Sequence, residues 1–241
     1  MLGCANGHRH DVNRRGWLTA IDARSGIRGD PRELLAARSA FLAAGHYSPV
    51  VGALRRAVPA DARMLDAGCG TGYYSSALLR DRPGAIALEL DASTDAVRVA
   101  VGATGMPGLV ADIWRPWPVR DAAADAVLCV FAPRNPAETA RVLADGGRFV
   151  VVTPTPRHLA ELRVGGAMLD VPEDKLERVG ESLAPLFAPV HHEVVEATLR
   201  LDADDAARAA DMGPAGHHPD RPAPPAGPVT LSVDVSVFAP R

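Results

Sequence analysis

The sequence predicts an α/β protein built on a doubly wound, mostly parallel sheet. Three observations carry this. Short apolar stretches alternate with helix-compatible stretches from Arg63 to Thr153, the pattern of repeated βα units. The stretch Ala85 to Asp91 is nearly all apolar, as a strand buried on both faces should be. The run Leu65-Asp66-Ala67-Gly68-Cys69-Gly70-Thr71-Gly72-Tyr73-Tyr74 places three alternate glycines between a strand end and a helix start. Residues without a Cβ can adopt positive φ and let a ligand approach bare backbone.

The elements follow in order. Residues 1–32 show no sustained period and are rich in Gly, Arg and Asp, which predicts a loop-dominated segment. Asp30 before Pro31 predicts a helix start with Asp30 as N-cap, and Leu34, Leu35, Arg38, Phe41 and Leu42 recur at helical spacing. A second helix runs from Pro49 to Pro59. Strand Arg63–Asp66 leads through the glycines to helix Tyr73–Leu79, then strand Ala85–Asp91 and a helix from Ser93 to Val101. Strand Gly108–Ala111 ends at Asp112, and Trp114-Arg115-Pro116-Trp117-Pro118 makes a stiff loop. Strand Ala126–Phe131, helix Ala137–Leu143 and strand Arg148–Thr153 complete the alternation. Beyond it, Leu159–Met168 and Glu173–Leu183 are expected helical, Val190–Leu201 a strand, and Ala203–Met212 a helix. His217 to Pro228, with five prolines in twelve residues, is expected to be a loop. Val229–Phe238 alternates apolar with small polar residues as a last strand.

The chain has 241 residues, 47% of them hydrophobic, enough for one large domain with an appendage. No apolar run reaches the roughly 18 residues of a membrane span, and the N-terminus lacks a signal-peptide core. Cys4, Cys69 and Cys129 are odd in number and widely spaced, so no disulfide framework is expected and a reducing, cytoplasmic setting is. Residues 1–60 carry nine Arg against four acidic residues, while the remainder holds seventeen basic and twenty-five acidic ones. A basic N-terminal segment on an acidic body suits either a nucleic-acid contact or a solvated Arg-rich surface.

The spacing D-x-G-x-G-x-G after a strand resembles motif I of the Rossmann-like, class I S-adenosylmethionine (SAM) dependent methyltransferases. It differs from the G-x-G-x-x-G of dinucleotide binders. An acidic strand end lies about twenty residues downstream at Asp91, where a carboxylate can accept from both ribose hydroxyls. The same residue could instead cap the helix at Ser93, and Glu89 is a weaker candidate. Asp112 occupies the place where such folds meet the adenine amino group, or makes a plain strand-ending turn.

Three further segments are Arg38-Ser39-Ala40-Phe41-Leu42-Ala43-Ala44-Gly45-His46-Tyr47, Phe131-Ala132-Pro133-Arg134-Asn135-Pro136, and Pro156-Arg157-His158-Leu159-Ala160-Glu161-Leu162. With the glycine turn, in this order, they resemble the RlmA-type 23S rRNA (guanine-N1)-methyltransferases, a family that includes tylosin-resistance methyltransferases. The resemblance implies SAM as cofactor, large-subunit rRNA as partner, macrolide resistance as a role and a homodimer as a possible assembly. It implies SAM contacts by Asp66, Gly68, Cys69, Gly70, Gly72 and Tyr73, with Asp91 on the ribose. Tyr47 and His158 match residues expected near SAM, and an aromatic ring beside a sulfonium gains cation–π attraction. Their plain alternatives are core packing for Tyr47 and a helix cap for His158.

The resemblance breaks at the N-terminus. The family carries an early C-x-x-C and then C-x-x-x-H, and here only Cys4 and His8 match the second half. Two ligands do not close a structural zinc site, which needs four, so zinc is not expected and Cys4 and His8 read as a remnant. The expected organisation is a reduced segment over 1–32, a helical linker over 33–60, and the methyltransferase domain over 61–241. Guanine N1 carries a proton at neutral pH, so a general base is useful; His46, Asp112 and His158 are the candidates. Trp17, Trp114, Trp117, Phe131 and Phe187 are the aromatic faces that could stack on a displaced base. The pair His217-His218 is expected to be solvated loop. The other readings are a methyltransferase acting on a small molecule and a non-catalytic SAM- or RNA-binding protein.

Overall fold

A computed structural model describes residues 2–3, 9–21, 29–213 and 222–241. The expectations for Cys4, His8 and His217-His218 fall outside the described residues. The first elements are β1 (Leu2–Gly3) and β2 (Arg9–His10), an antiparallel pair. Then come β3 (Trp17–Thr19), α1 (Arg32–Ala43), α2 (Ser48–Ala57), β4 (Arg63–Ala67) and α3 (Tyr73–Leu79). The next elements are β5 (Ile86–Asp91), α4 (Thr94–Thr104), β6 (Gly108–Val110), β7 (Ala124–Val130), α5 (Pro136–Val142) and β8 (Leu143–Pro154). A 3-10 helix (Ala160–Gly166), α6 (Lys175–Leu183), β9 (Phe187–Leu201), α7 (Ala203–Asp211) and β10 (Gly227–Pro240) close the chain.

The main sheet has eight strands in the order β3-β6-β5-β4-β7-β8-β10-β9. The ladders from β3 to β8 are parallel, and β10 runs antiparallel between β8 and β9. From β4 the chain moves outward through β5 and β6, then returns to add β7 and β8 on the other side. The strand order therefore reverses between β4 and β7. In such sheets ligands settle in the crevice at the carboxyl ends of the strands, at that reversal. The α/β class is confirmed; the β1–β2 pair lies outside the expected set, and the main sheet has one strand beyond it.

That strand is β3, inside the segment expected to be loop. It pairs in parallel with β6 (Trp17 with Gly108 through Thr19 with Val110). Trp17 is buried against Val97, Val101 and Val110. Gly108 makes the approach possible, since a Cβ there would lie 2.4 Å from Val97 and 3.0 Å from Trp17. A three-residue strand has no period to detect, and its formation depends on a partner some ninety residues away in sequence.

Two local expectations are corrected. Pro31, not Asp30, is the N-cap of α1, and no side chain caps it. The Asp30 carboxylate instead pairs with Arg38 at 2.7 Å, and its carbonyl accepts from the Ser93 hydroxyl. The stretch expected as helix Leu159–Met168 is a 3-10 helix over Ala160–Gly166. The alternating stretch forms the expected last strand, β10, and both of its faces are covered. Its small polar residues are satisfied internally: Ser232 donates to Glu196, and Asp234 meets His192 at 2.9 Å.

The apolar core lies on both faces of the sheet. On one side α2 and α3 cover Met64, Leu128, Val150 and Val235. On the other, Leu65, Val127, Phe149 and Val151 pack with Phe187 and Leu183. Trp17, Trp117 and Phe187 are all buried. They are therefore not free stacking faces; of the five candidate aromatics, Trp114 and Phe131 remain exposed. Among the described residues no helix is long and apolar enough to cross a membrane.

Candidate functional site

The end of β4 turns sharply into α3. Gly68, Gly70 and Gly72 all have positive φ, at 84°, 53° and 69°, the left-handed region that favours glycine. Close approach fixes two of them further. A Cβ on Gly68 would lie 2.4 Å from that of Ala132, and one on Gly72 would lie 2.8 Å from the backbone of Ala100. The turn is hung from β5: the N–H groups of Gly68 and Cys69 both donate to the Leu90 carbonyl.

Asp91 ends β5 beside this turn. One carboxylate oxygen accepts from the Gly70 N–H at 3.0 Å and the other from the Ser93 N–H at 2.9 Å. Ser93 is itself the side-chain cap of α4. Asp91 thus braces the turn, and each oxygen keeps lone-pair capacity for a further donor. Burial raises its pKa, opposed by the two N–H donors and the Arg38 charge.

Arg38 also stands at this turn, although the sequence singles it out only as the start of one of the characteristic segments. Its guanidinium reaches over the turn: a Cβ on Gly70 would meet Arg38 Nη1 at 3.3 Å. Asp30 and the Met212 carbonyl hold it from behind. The signal in the sequence is the segment itself; that α1 folds over the turn is a tertiary fact.

Asp66 and Glu89 stand opposite each other on β4 and β5, and both are buried. Ser75 donates to Glu89 at 3.0 Å, while Glu89 Oε1 has no hydrogen-bond partner. Burial pushes the Glu89 pKa well up, helped by the Asp66 charge. Burial also raises Asp66 to about 7, with Ser75 opposing and Asp91 adding to the rise. The folded state therefore prefers Asp66 protonated, whereas an unfolded Asp titrates near about 3.9. Its cost to stability grows as pH rises from about 4 to about 7 and then levels off. Asp66→Asn removes that cost, so its stability relative to the unchanged protein should be higher at pH 8 than at pH 5.5, by urea unfolding. An equal difference at both pH values contradicts the assignment.

Tyr47, His158 and Phe131 meet near the ends of β7 and β8. Tyr47 Oη lies 3.0 Å from His158 Nε2, and the Ser232 N–H donates to His158 Nδ1 at 3.2 Å. Because Nδ1 accepts, the neutral ring carries its proton on Nε2 and donates it to Tyr47. Burial, with the Arg163 and Lys175 charges, lowers the His158 pKa to about 3. Both nitrogens are occupied and the ring is neutral, which leaves His158 no lone pair with which to act as a base. It is a brace for Tyr47 rather than a helix cap.

The other base candidates lie apart. His46 Nε2 meets Asp205 on α7 at 2.8 Å. Asp112 follows β6, and its Oδ1 accepts from the Trp114 N–H at 2.8 Å, a local turn. Two strands, β5 and β4, separate β6 from β7, and at about 4.8 Å per strand Asp112 is remote from the β7 end. Tyr73 opens α3 with its ring edge-on to Tyr74 at 5.1 Å. Burial holds the thiols of Cys69 and Cys129 protonated, the latter at about 12. Among the described residues no group of His, Cys, Asp and Glu side chains is arranged to hold a metal ion.

A left-handed turn with no room for a Cβ at Gly68 or Gly72, an acidic strand end beside it and a strand-order reversal at the same edge fit a SAM nucleotide. Residues 65–151 match the family described as "Methyltransferase domain". A chain from the complex of the Haloferax volcanii Trm112 methyltransferase activator with a candidate methyltransferase shares the fold. Its TM-score is 0.56 at 19% identity, covering 88% of this chain and 99% of that one. The protein is a class I SAM-dependent methyltransferase.

Two relatives narrow the class. The 23S rRNA (guanine(748)-N(1))-methyltransferase of Streptomyces fradiae is 41% identical, over 99% of this chain and 91% of that protein. A Micromonospora griseorubida protein provisionally named a 23S rRNA (guanine-N(1)-)-methyltransferase is 37% identical, over 99% of this chain and 87% of that one. The chain belongs to the 23S rRNA (guanine-N1)-methyltransferase family.

Proposed function

We propose that this protein transfers the methyl group of SAM to N1 of a guanine in large-subunit ribosomal RNA, with position 748 the first to inspect. The observation that carries the proposal is 41% identity extending over 99% of the chain to the Streptomyces fradiae enzyme. Domain-level likeness alone would leave the substrate open. Macrolide resistance is the associated role, to be measured as raised tolerance of a sensitive host. Cytoplasmic location follows from an rRNA substrate. In organisation, we assign residues 61–241 to the catalytic domain, 33–60 to a helical linker and 1–32 to a reduced N-terminal segment whose β3 joins the catalytic sheet.

When bound, SAM supplies an electrophilic methyl on a sulfonium, which a nucleophile displaces in line. The chain's contribution is position and alignment. Backbone at Gly68, Cys69, Gly70 and Gly72 would line the cofactor, and Asp91 would accept from the ribose hydroxyls. Asp112 Oδ2, which takes no part in the Trp114 turn and has Arg115 3.8 Å away, would suit the adenine amino group. Arg38 over Gly70 suits the methionine carboxylate. Asp66 supports the turn from within the strand, and Tyr73 flanks it from α3. Tyr47 is buried in the core, the plain alternative named for it, and with His158 it supports Phe131 from beneath rather than facing the sulfonium. Of the three base candidates, His46 is the one with an unengaged ring nitrogen, Nδ1, and a carboxylate behind it.

Labelled SAM and protein-free large-subunit RNA from a strain lacking such enzymes test the proposal. Label in RNA is expected. SAM binding without RNA label would shift the assignment to a small-molecule acceptor.

A further inference from the structure

Phe131 follows directly on β7, beside the glycine turn, and three of its features do not belong to an ordinary surface residue. Its backbone has φ of 54°, a conformation costly for a bulky side chain and one that gathers at functional sites. The residue is 40% exposed, in a chain with few exposed aromatics. Yet the ring is not loose: it stacks on His158 at 5.8 Å and 22°. Tyr47 meets it edge-on at 6.0 Å, and Tyr74 lies 6.4 Å away.

The support beneath the ring is fixed in turn. His158 is locked into one tautomer by the Ser232 N–H and Tyr47. Tyr47 is fully buried and wedged edge-on against Phe41. An apolar ring is thus held at a strained angle, with an exposed surface at the mouth of the cofactor crevice. Burial of hydrophobic area would favour the opposite, a ring turned inward.

The charge around it suits a nucleotide. Arg134 lies within reach of the Cys129 thiol, and its charge bears on Lys175. Lys175 is the only lysine of the chain. Among the described residues neither Arg134 nor Lys175 has a carboxylate partner. The Lys175 charge also bears on the His158 ring that stacks on Phe131, and a cation on that side of an exposed aromatic supplies the elements of a site for a single unstacked nucleotide.

We propose that Phe131 is the platform on which the target guanine stacks once it leaves its helix, with the His158 ring as the layer beneath. This rests on the RNA reading above. A purine on the exposed ring would continue the stack begun by His158, and Arg134 and Lys175 would meet its phosphate. Aromatic–base stacking carries enough energy to change binding or rate about ten- to hundredfold.

The test compares the unchanged protein, Phe131→Leu and Phe131→Tyr with large-subunit RNA under single-turnover conditions. SAM affinity, by calorimetry, should stay within about twofold in both variants, since the residue does not brace the turn. Methyl transfer should fall about ten- to hundredfold in Phe131→Leu and survive in Phe131→Tyr, which keeps the ring. In parallel, RNA carrying 6-thioguanosine at the modified position, irradiated with the unchanged protein, should crosslink to the peptide containing residue 131. Equal transfer by Phe131→Leu, or a crosslink mapping elsewhere, overturns the platform while leaving the RNA reading intact. No transfer by the unchanged protein overturns both. If Phe131→Leu does not fold, the tyrosine variant and the crosslink still decide.

Discussion

Asp91→Ala is expected to weaken SAM binding by about a hundredfold or more in Kd. Each hydrogen bond to a charged acceptor contributes about 1.5–3 kcal/mol, and a ribose pair lost together corresponds to about that factor. The residue has a second duty, because its carboxylate also receives the Gly70 and Ser93 N–H groups. Part of the loss in Asp91→Ala will therefore be structural, seen as lower stability without ligand. Asp91→Asn separates the two duties in part. It keeps one acceptor oxygen but turns an NH2 group toward the other N–H, so it should recover only part of the unliganded stability lost in Asp91→Ala while still losing affinity. Calorimetry of SAM binding alongside urea unfolding reads both. Near-normal affinity in Asp91→Ala would remove Asp91 from the cofactor site.

Gly72→Ala should destabilise the protein by about 2–5 kcal/mol. The left-handed backbone at φ of 69° costs an L side chain about 1–2 kcal/mol. The new methyl would stand 2.8 Å from the Ala100 backbone, an overlap of the kind that costs about 1–3 kcal/mol. Gly102 supplies the comparison. It lies inside α4, and a methyl there would find nothing within 4 Å, so Gly102→Ala should stabilise by about 0.5–1 kcal/mol through helix propensity. The same chemical change thus has opposite signs thirty residues apart. Urea midpoints of the two variants measure it, and a neutral Gly72→Ala would mean that the turn relaxes where the packing says it does not.

The glycine turn and the acid beside it were legible because their constraints are local. Glycines spaced D-x-G-x-G-x-G answer a backbone requirement within one turn, and the acid at Asp91 sits at a distance set by one helix and one strand. The same holds for the central strands, whose apolar runs report burial on both faces. What was hidden depends on contacts between distant segments. β3 is too short to carry a period and exists through its pairing with β6. Arg38 reaches the turn only because α1 folds over it. The tautomer of His158 is decided by the Ser232 N–H, seventy-four residues away, and that contact turns a candidate base into a brace. Composition could count the aromatics but could not tell that Trp17, Trp117 and Phe187 are core while Phe131 is held outward. The alternation of β10 marked a strand correctly, and hydrogen bonds from β9 and His158 let its small polar residues sit in a strand covered on both sides.

The central claim is a methyl group on N1 of a ribosomal guanine, and the position of that methyl tests it most directly. Large-subunit RNA treated with the protein and SAM should be mapped by reverse transcription and by mass spectrometry of the digested nucleosides. A methyl on N1 blocks the pairing edge of guanine, so the account predicts one new strong stop at a single guanine, together with 1-methylguanosine in the digest. A methyl on another atom or another base, or unmodified RNA from protein that binds SAM, would contradict it.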